Sequence, residues 1–144
     1  MTIVFIGSNP SIKSGSVQPF WTDTRSRKVL SSWLSQLPSE YITCIRFLNV
    51  FNIPTPNNRP LTASEIKNSL LRLGGDLYMM NPDKIIAVGK TAEKALTLLR
   101  SKLNFDFYAM PHSSGLNRQL NDPIYVEEKI KGLIEFITVP KDKI

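Results

Sequence analysis

Thr2-Ile3-Val4-Phe5-Ile6-Gly7-Ser8-Asn9-Pro10 decides how this chain folds. Thr2 to Ile6 is a continuous apolar run, not an alternating one, so the spacing predicts a strand covered on both faces. Gly7-Ser8-Asn9-Pro10 then predicts a turn at the carboxyl end of that strand. A strand of this kind belongs in a parallel sheet with helices on either side. The rest of the sequence supplies the partners such a sheet needs.

Two more runs match the first. Tyr41 to Phe47 is rich in β-formers and predicts a second strand. Lys84-Ile85-Ile86-Ala87-Val88 predicts a third, buried strand ending at Gly89. Phe105 to Ala109 predicts a fourth. Helical periodicity fills the gaps. Val29/Leu30, Trp33/Leu34 and Leu37 share one face of a helix that Asp23 or Thr24 can cap and Pro38 stops. Thr62-Ala63-Ser64-Glu65 is a capping box, followed by Ile66, Leu70, Leu73 and Leu77. Gly74-Gly75 inside that helix marks either a local weakness or a close contact. Thr91 opens a helix with Ala92, Ala95, Leu96, Leu99 and Leu103 on its apolar face. Asp122-Pro123 combines a cap with a proline at the first helical position, and Val126, Ile130, Leu133, Ile134 and Ile137 follow.

The order β-α-β-α-β-α-β-α predicts an α/β fold, a three-layer αβα arrangement around a four-stranded parallel sheet. Residues 1–144 read as one domain. Ligands of such sheets bind at the carboxyl ends of the strands. Three polar loops are expected there: Gly7 to Pro10, Asn49 to Pro60, and Pro111 to Arg118. The last of these contains the only histidine, His112. From the residues alone it reads either as a surface loop that carries an imidazole or as part of a site.

Composition narrows the chemistry. Of 144 residues, 42% are apolar and 21% charged, and the net charge is +6, which suits a polyanionic partner. Cys44 is the only cysteine, which rules out an internal disulfide, a cysteine-only zinc site and a cysteine-ligated iron–sulfur cluster. No apolar run approaches the roughly 20 residues that cross a bilayer, and no secretory signal pattern is visible. A cytoplasmic, reducing setting is expected. Gly89-Lys90-Thr91 is not a P-loop, because the upstream glycine and its spacing are missing.

With the loops placed, the chain resembles the uracil-DNA glycosylase superfamily along nearly its whole length. Gly7-Ser8-Asn9-Pro10-Ser11 is similar to the first motif of the mismatch-specific branch, Gly-x-Asn-Pro-Gly. Ser113 to Arg118, with its Ser-Gly-Leu-Asn-Arg core, is similar to that branch's second motif. His112 stands where other branches carry the His of His-Pro-Ser. Asn49 to Pro54, Asn58-Arg59-Pro60, Glu65-Ile66 and Pro82 to Ala92 resemble the iron–sulfur branch. The chain departs from these patterns in lacking the four cluster cysteines and the acidic first-motif residue. Ser11 replaces a glycine and Ser113 a proline.

The resemblance implies roles for particular residues. Asn9 would orient the attacking water, and His112 would donate to the base O2 as charge develops there. Asn49 would pair with the edge of uracil, with Asn52 as the alternative. Gly7 and Ser8 would line the base pocket. Phe20, or else Trp21, would stack on the flipped base. Leu116 would wedge into the duplex beside Ser114, Gly115, Asn117 and Arg118. Lys90 and Thr91, at a helix N-terminus, would meet a phosphate.

The expected activity is monofunctional hydrolysis of the N-glycosidic bond of uracil or a related pyrimidine in DNA. No metal or other cofactor is expected, and no membrane partner. The protein is expected to act as a monomer, at the nucleoid while on its substrate. Two alternatives stay open: a DNA-binding protein with weakened or lost catalysis, and a hydrolase or transferase acting on modified pyrimidine nucleosides.

Overall fold

The computed structural model describes residues 1–9, 25–37, 44–52, 55–56, 59–111 and 122–138. The elements run β1 (Thr2–Gly7), α1 (Arg25–Leu34), β2 (Cys44–Asn49), α2 (Ala63–Met80), β3 (Lys84–Val88), α3 (Lys90–Arg100), β4 (Tyr108–Met110) and α4 (Pro123–Thr138). All four strands are parallel, in the order β2-β1-β3-β4. This is the expected α/β arrangement.

Alternation within each strand divides the interior into two cores. Val4, Ile6, Ile85 and Ala87 point to one face, where they meet Ile66, Leu73 and Leu77 of α2 and Ala92, Ala95, Leu96 and Leu99 of α3. Ile3, Phe5, Ile86, Val88 and Met110 point to the other, against Leu30 and Trp33 of α1 and Ile130, Leu133 and Ile137 of α4. Leu37, just past α1, joins this second core. Every residue of β3 is buried, which is why its apolar character is continuous along the strand.

Local chemistry sets the helix ends. Thr62 Oγ1 accepts from the Glu65 amide while the Glu65 carboxylate accepts from the Thr62 amide, closing the capping box at the start of α2. At the other end Asn81 adopts φ 46° and its amide donates to the Leu77 carbonyl. Asp122 Oδ1 accepts from the amides of Ile124 and Tyr125, so the expected cap of α4 forms. Asp23, Thr24 and Pro38, expected to bound α1, lie outside the described residues.

Strand boundaries shift from expectation. Pairing with β1 in the register Gly7↔Asn49 extends β2 to Asn49; residues 41–43 lie outside the described residues. The fourth strand begins at Tyr108 instead of Phe105. Phe105 and Phe107 still pack on the α2/α3 core, so their apolar character reports burial without ladder pairing. α3 begins one residue before Thr91, at Lys90. Leu103 lies beyond its end. No helix among the described residues is long and apolar enough to cross a membrane.

Candidate functional site

Chain direction reverses across the sheet between β1 and β3: one crossover leads outward to β2, the next returns past β1 to β3 and then β4. A crevice opens at such a switch point, beyond the carboxyl ends of the strands. The chain leaves β1 through Gly7, Ser8 and Asn9 at this edge. It leaves β2 through Asn49, β3 through Gly89 and β4 through Pro111.

Two main-chain hydrogen bonds continue the β1–β2 ladder past the strand ends. The Val50 amide donates to the Gly7 carbonyl and the Phe51 amide to the Ser8 carbonyl, each at 2.9 Å. They hold the Ser8-Asn9 turn beside the segment after Asn49. Ser8 Oγ donates to Asn9 Oδ1 at 3.0 Å. This bond helps to orient the carboxamide. Ser8 therefore acts on Asn9 as much as on any pocket wall.

Asn49 has an unusual environment. It is 3% exposed, and its side-chain Nδ2 has no hydrogen-bond partner among the described residues. A buried amide donor left unmet costs about 1–3 kcal/mol. A carbonyl oxygen is the kind of acceptor that would match it. Asn52, by contrast, is exposed.

Sequence reading missed one neighbour of Asn49. Arg72, on α2, reaches across to the strand end. Its Nη2 donates to the carbonyls of Asn49 at 2.8 Å and Val50 at 2.6 Å, and its Nη1 donates to Asp76 Oδ2 at 2.7 Å. The only sequence signal was an Arg and an Asp four residues apart on a helix, a spacing shared by many surface pairs.

The loop between β2 and α2 is pinned at its far end. The Arg59 guanidinium grips Glu65 with both nitrogens, at 2.7 and 3.1 Å, and Thr55, 2% exposed, donates to the Arg59 carbonyl at 2.6 Å. Arg59 first, and then the Thr62 amide, hold the Glu65 carboxyl down at about 2. Arg59 thus serves the α2 cap.

At the end of β3, Gly89 has φ 93°, a conformation that favours glycine. Its amide donates to the Met110 carbonyl and its own carbonyl accepts from Glu93. α3 begins here with no side-chain cap, Lys90 exposed and Thr91 half-buried in the first turn. Glu93 in the same turn offsets part of the attraction for an anion.

The structure thus brings Gly7, Ser8, Asn9, Asn49, Lys90 and Thr91 to one edge. Phe20, Trp21, His112, Ser113, Ser114, Gly115, Leu116, Asn117 and Arg118 lie outside the described residues, as do Pro10 and Ser11. The chain reaches Pro111, buried, at the same edge. A separate cavity of about 540 Å³ opens between β2 and the end of α2, beside Cys44, Arg46, Asp76 and Met79. Thr2 and Cys44 begin their strands, so this cavity reaches the opposite edge and contains none of the expected site residues. Among the described residues no cluster of three or more His, Cys, Asp or Glu could hold a metal.

Comparison with known proteins agrees with this architecture. A family model described as "Uracil DNA glycosylase superfamily" matches residues 1–133. A curated relative, a DNA polymerase of Bacillus phage SP01, is 27% identical over 141 residues, which cover 91% of this chain and 15% of that protein. The chain therefore spans less than a sixth of the length of the polymerase it matches.

Proposed function

Because the chain belongs to the uracil-DNA glycosylase superfamily, a family of DNA glycosylases, we propose that it removes uracil or a related pyrimidine from DNA by hydrolysis. The observation that carries this reading is the pair of carboxamides at adjacent strand ends. Asn9 is oriented by Ser8, and Asn49 is buried with an unmet donor. DNA as the substrate polymer also fits the polymerase relative and the net charge of +6.

In this reading the C1′–N1 bond breaks and its electron pair leaves with the base. Water oxygen bonds to C1′, and the water's proton passes to solvent or to the departing base. Asn9 accepts a hydrogen bond from that water and aims it. A carboxamide is a poor base, so bond breaking runs ahead of water attack. Departure is helped by His112 donating to O2, a contribution of about 3–4 kcal/mol for a preorganised donor. Asn49 Nδ2 donates to the pyrimidine O4 while its oxygen accepts from N3–H. Gly7 and Ser8 wall the pocket. Phe20 stacks on the extruded base, worth about 1–3 kcal/mol, and Leu116 fills the gap it leaves, within Ser114 to Arg118. Lys90 and Thr91 take a backbone phosphate.

A labelled oligonucleotide containing one uracil tests this. Incubation followed by hot alkali is expected to cut the strand at that position. Asn9→Ala is expected to lower turnover about 100-fold while binding holds. Tight binding with no alkali-labile product overturns the hydrolase. That outcome would select the second reading, a DNA-binding protein without catalysis, which Ser11 and Ser113 favour by departing from the family motifs.

A further inference from the structure

Asn49 raises a physical problem that the proposed function leaves open. Among the described residues its side-chain nitrogen has no hydrogen-bond partner, so no hydrogen bond from them at that atom fixes which way the carboxamide points. A base-reading amide must nonetheless present donor and acceptor in a set direction, because rotation of the group by half a turn exchanges them. Packing around the group must therefore set that direction, and the packing it meets depends on where the backbone that carries it is held.

That backbone is held from two sides. On one side the Val50 amide donates to the Gly7 carbonyl of β1 at 2.9 Å. On the other, a single nitrogen of Arg72 bridges the carbonyls of Asn49 and Val50 at 2.8 and 2.6 Å. β2 is the outermost strand of the described sheet on this side. Carbonyls at its end need a side chain or water to satisfy them, and Arg72 meets two in succession. Its other terminal nitrogen is held by Asp76 one helical turn along, at 2.7 Å. The planar guanidinium makes these bonds with fixed mutual geometry, which a lysine ammonium cannot reproduce.

We propose that Arg72, tethered by Asp76, is a positioning residue that sets the direction of the Asn49 carboxamide. It touches no substrate; it acts through the two peptides on either side of the Asn49–Val50 link. The consequence for base choice rests on the reading of Asn49 as the base-recognising residue, whereas the clamp itself does not. α2 thereby couples its own packing to the fidelity of the crevice.

The test uses the full chain, labelled with ¹⁵N. The side-chain amide signals of Asn49 are identified by their loss in Asn49→Ala. They are expected to move in Arg72→Met and, less, in Asp76→Ala, with most backbone amides unmoved and Arg72→Lys intermediate. Unmoved Asn49 signals in Arg72→Met overturn the proposal. If Arg72→Met does not fold, Asp76→Ala and Arg72→Lys decide the same question: unmoved signals in both overturn the clamp.

The second readout is excision from a uracil oligonucleotide. Displacing a reading group by about 1 Å costs up to about 100-fold. KM is expected to rise by tens of fold in Arg72→Met, with kcat changed much less. A merely destabilised protein would instead lose active enzyme at constant KM. If Asn49→Ala loses discrimination and Arg72→Met keeps the wild-type KM, the clamp is wrong and the base reader stands. If the wild type excises nothing, or Asn49→Ala matches it, the functional reading fails, and the Asn49 signals alone judge the clamp.

Discussion

At the scale of single residues, charge and hydrogen-bond capacity decide most of what this protein does. Asn49 and Glu65 illustrate two outcomes of burial and pairing. Asn49 keeps a buried donor at the end of β2 that is unmet among the described residues, and the proposed role has it meet the base. Replacing its NH₂ by an oxygen turns a donor–acceptor group into an acceptor pair. Asn49→Asp is therefore expected to favour cytosine, whose N4 amine donates, over uracil. A panel of oligonucleotides bearing either base measures the ratio, and an unchanged ratio removes Asn49 from base reading. Glu65 is fully matched: Arg59 and the Thr62 amide lower its carboxyl from 4.5 to about 2. A carboxyl depressed on folding stabilises the fold above its unfolded pKa, and that contribution fades as pH falls toward the folded value. Glu65→Gln keeps the capping geometry and removes the charge. The melting temperature of the wild type is expected to exceed that of the variant at neutral pH. The gap should close between about pH 4.5 and pH 2, and a gap that persists there would assign the effect to shape.

At the scale of elements, helix caps and core faces were legible in the sequence because they depend on neighbours in sequence. The Thr62–Glu65 box and the Asp122 cap are local devices, and both formed. Strand ends were less legible, because register is set across the sheet: pairing with Gly7 carries β2 on to Asn49, and nothing within Tyr41 to Phe47 encodes that. The Gly74-Gly75 pair shows the same division. A Cβ on Gly74 would lie 3.3 Å from Leu99 Cδ2, so this glycine lets α2 approach α3, whereas Gly75 has nothing within 4 Å. Gly75→Ala is thus expected to stabilise by about 0.5–1 kcal/mol, since it removes backbone freedom from the unfolded chain. Gly132 sits equally within a helix, but its Cβ would collide with the Tyr108 hydroxyl, which donates to the Lys129 carbonyl at 3.0 Å. Gly132→Ala is expected to destabilise despite the same gain in helix propensity. Urea unfolding of the two variants checks the opposite signs, and a common sign would mean that propensity outweighs packing here.

At the scale of the whole molecule, the arrangement of layers was legible because strands and helices alternate along the described residues, and parallel strands send every β-to-α turn to one edge. That rule brought Asn9 and Asn49 together from distant segments. It could not disclose Arg72, which acts on main-chain carbonyls from a helix on one flank of the sheet. It also leaves open how the net charge of +6 is deployed. Several cations are already engaged: Arg59 with Glu65, Arg72 with Asp76, Arg100 with Asp106 and over Phe107, Lys129 over Tyr108. Lys90 differs in standing exposed at the carboxyl edge, in the first turn of α3. If DNA crosses that edge, affinity must fall with salt, because each phosphate neutralised releases counterions and contributes about 0.9 to the slope of log K against log salt on a duplex, or about 0.7 on a single strand. Lys90→Ala is then expected to lower the slope by about one contact while leaving base preference untouched. Binding titrations across a salt series, on uracil-containing single strands and duplexes, provide the slope. A flat response in the wild type would point away from a polymer and toward a nucleoside substrate. A full slope with no change in Lys90→Ala would move the DNA path off the start of α3.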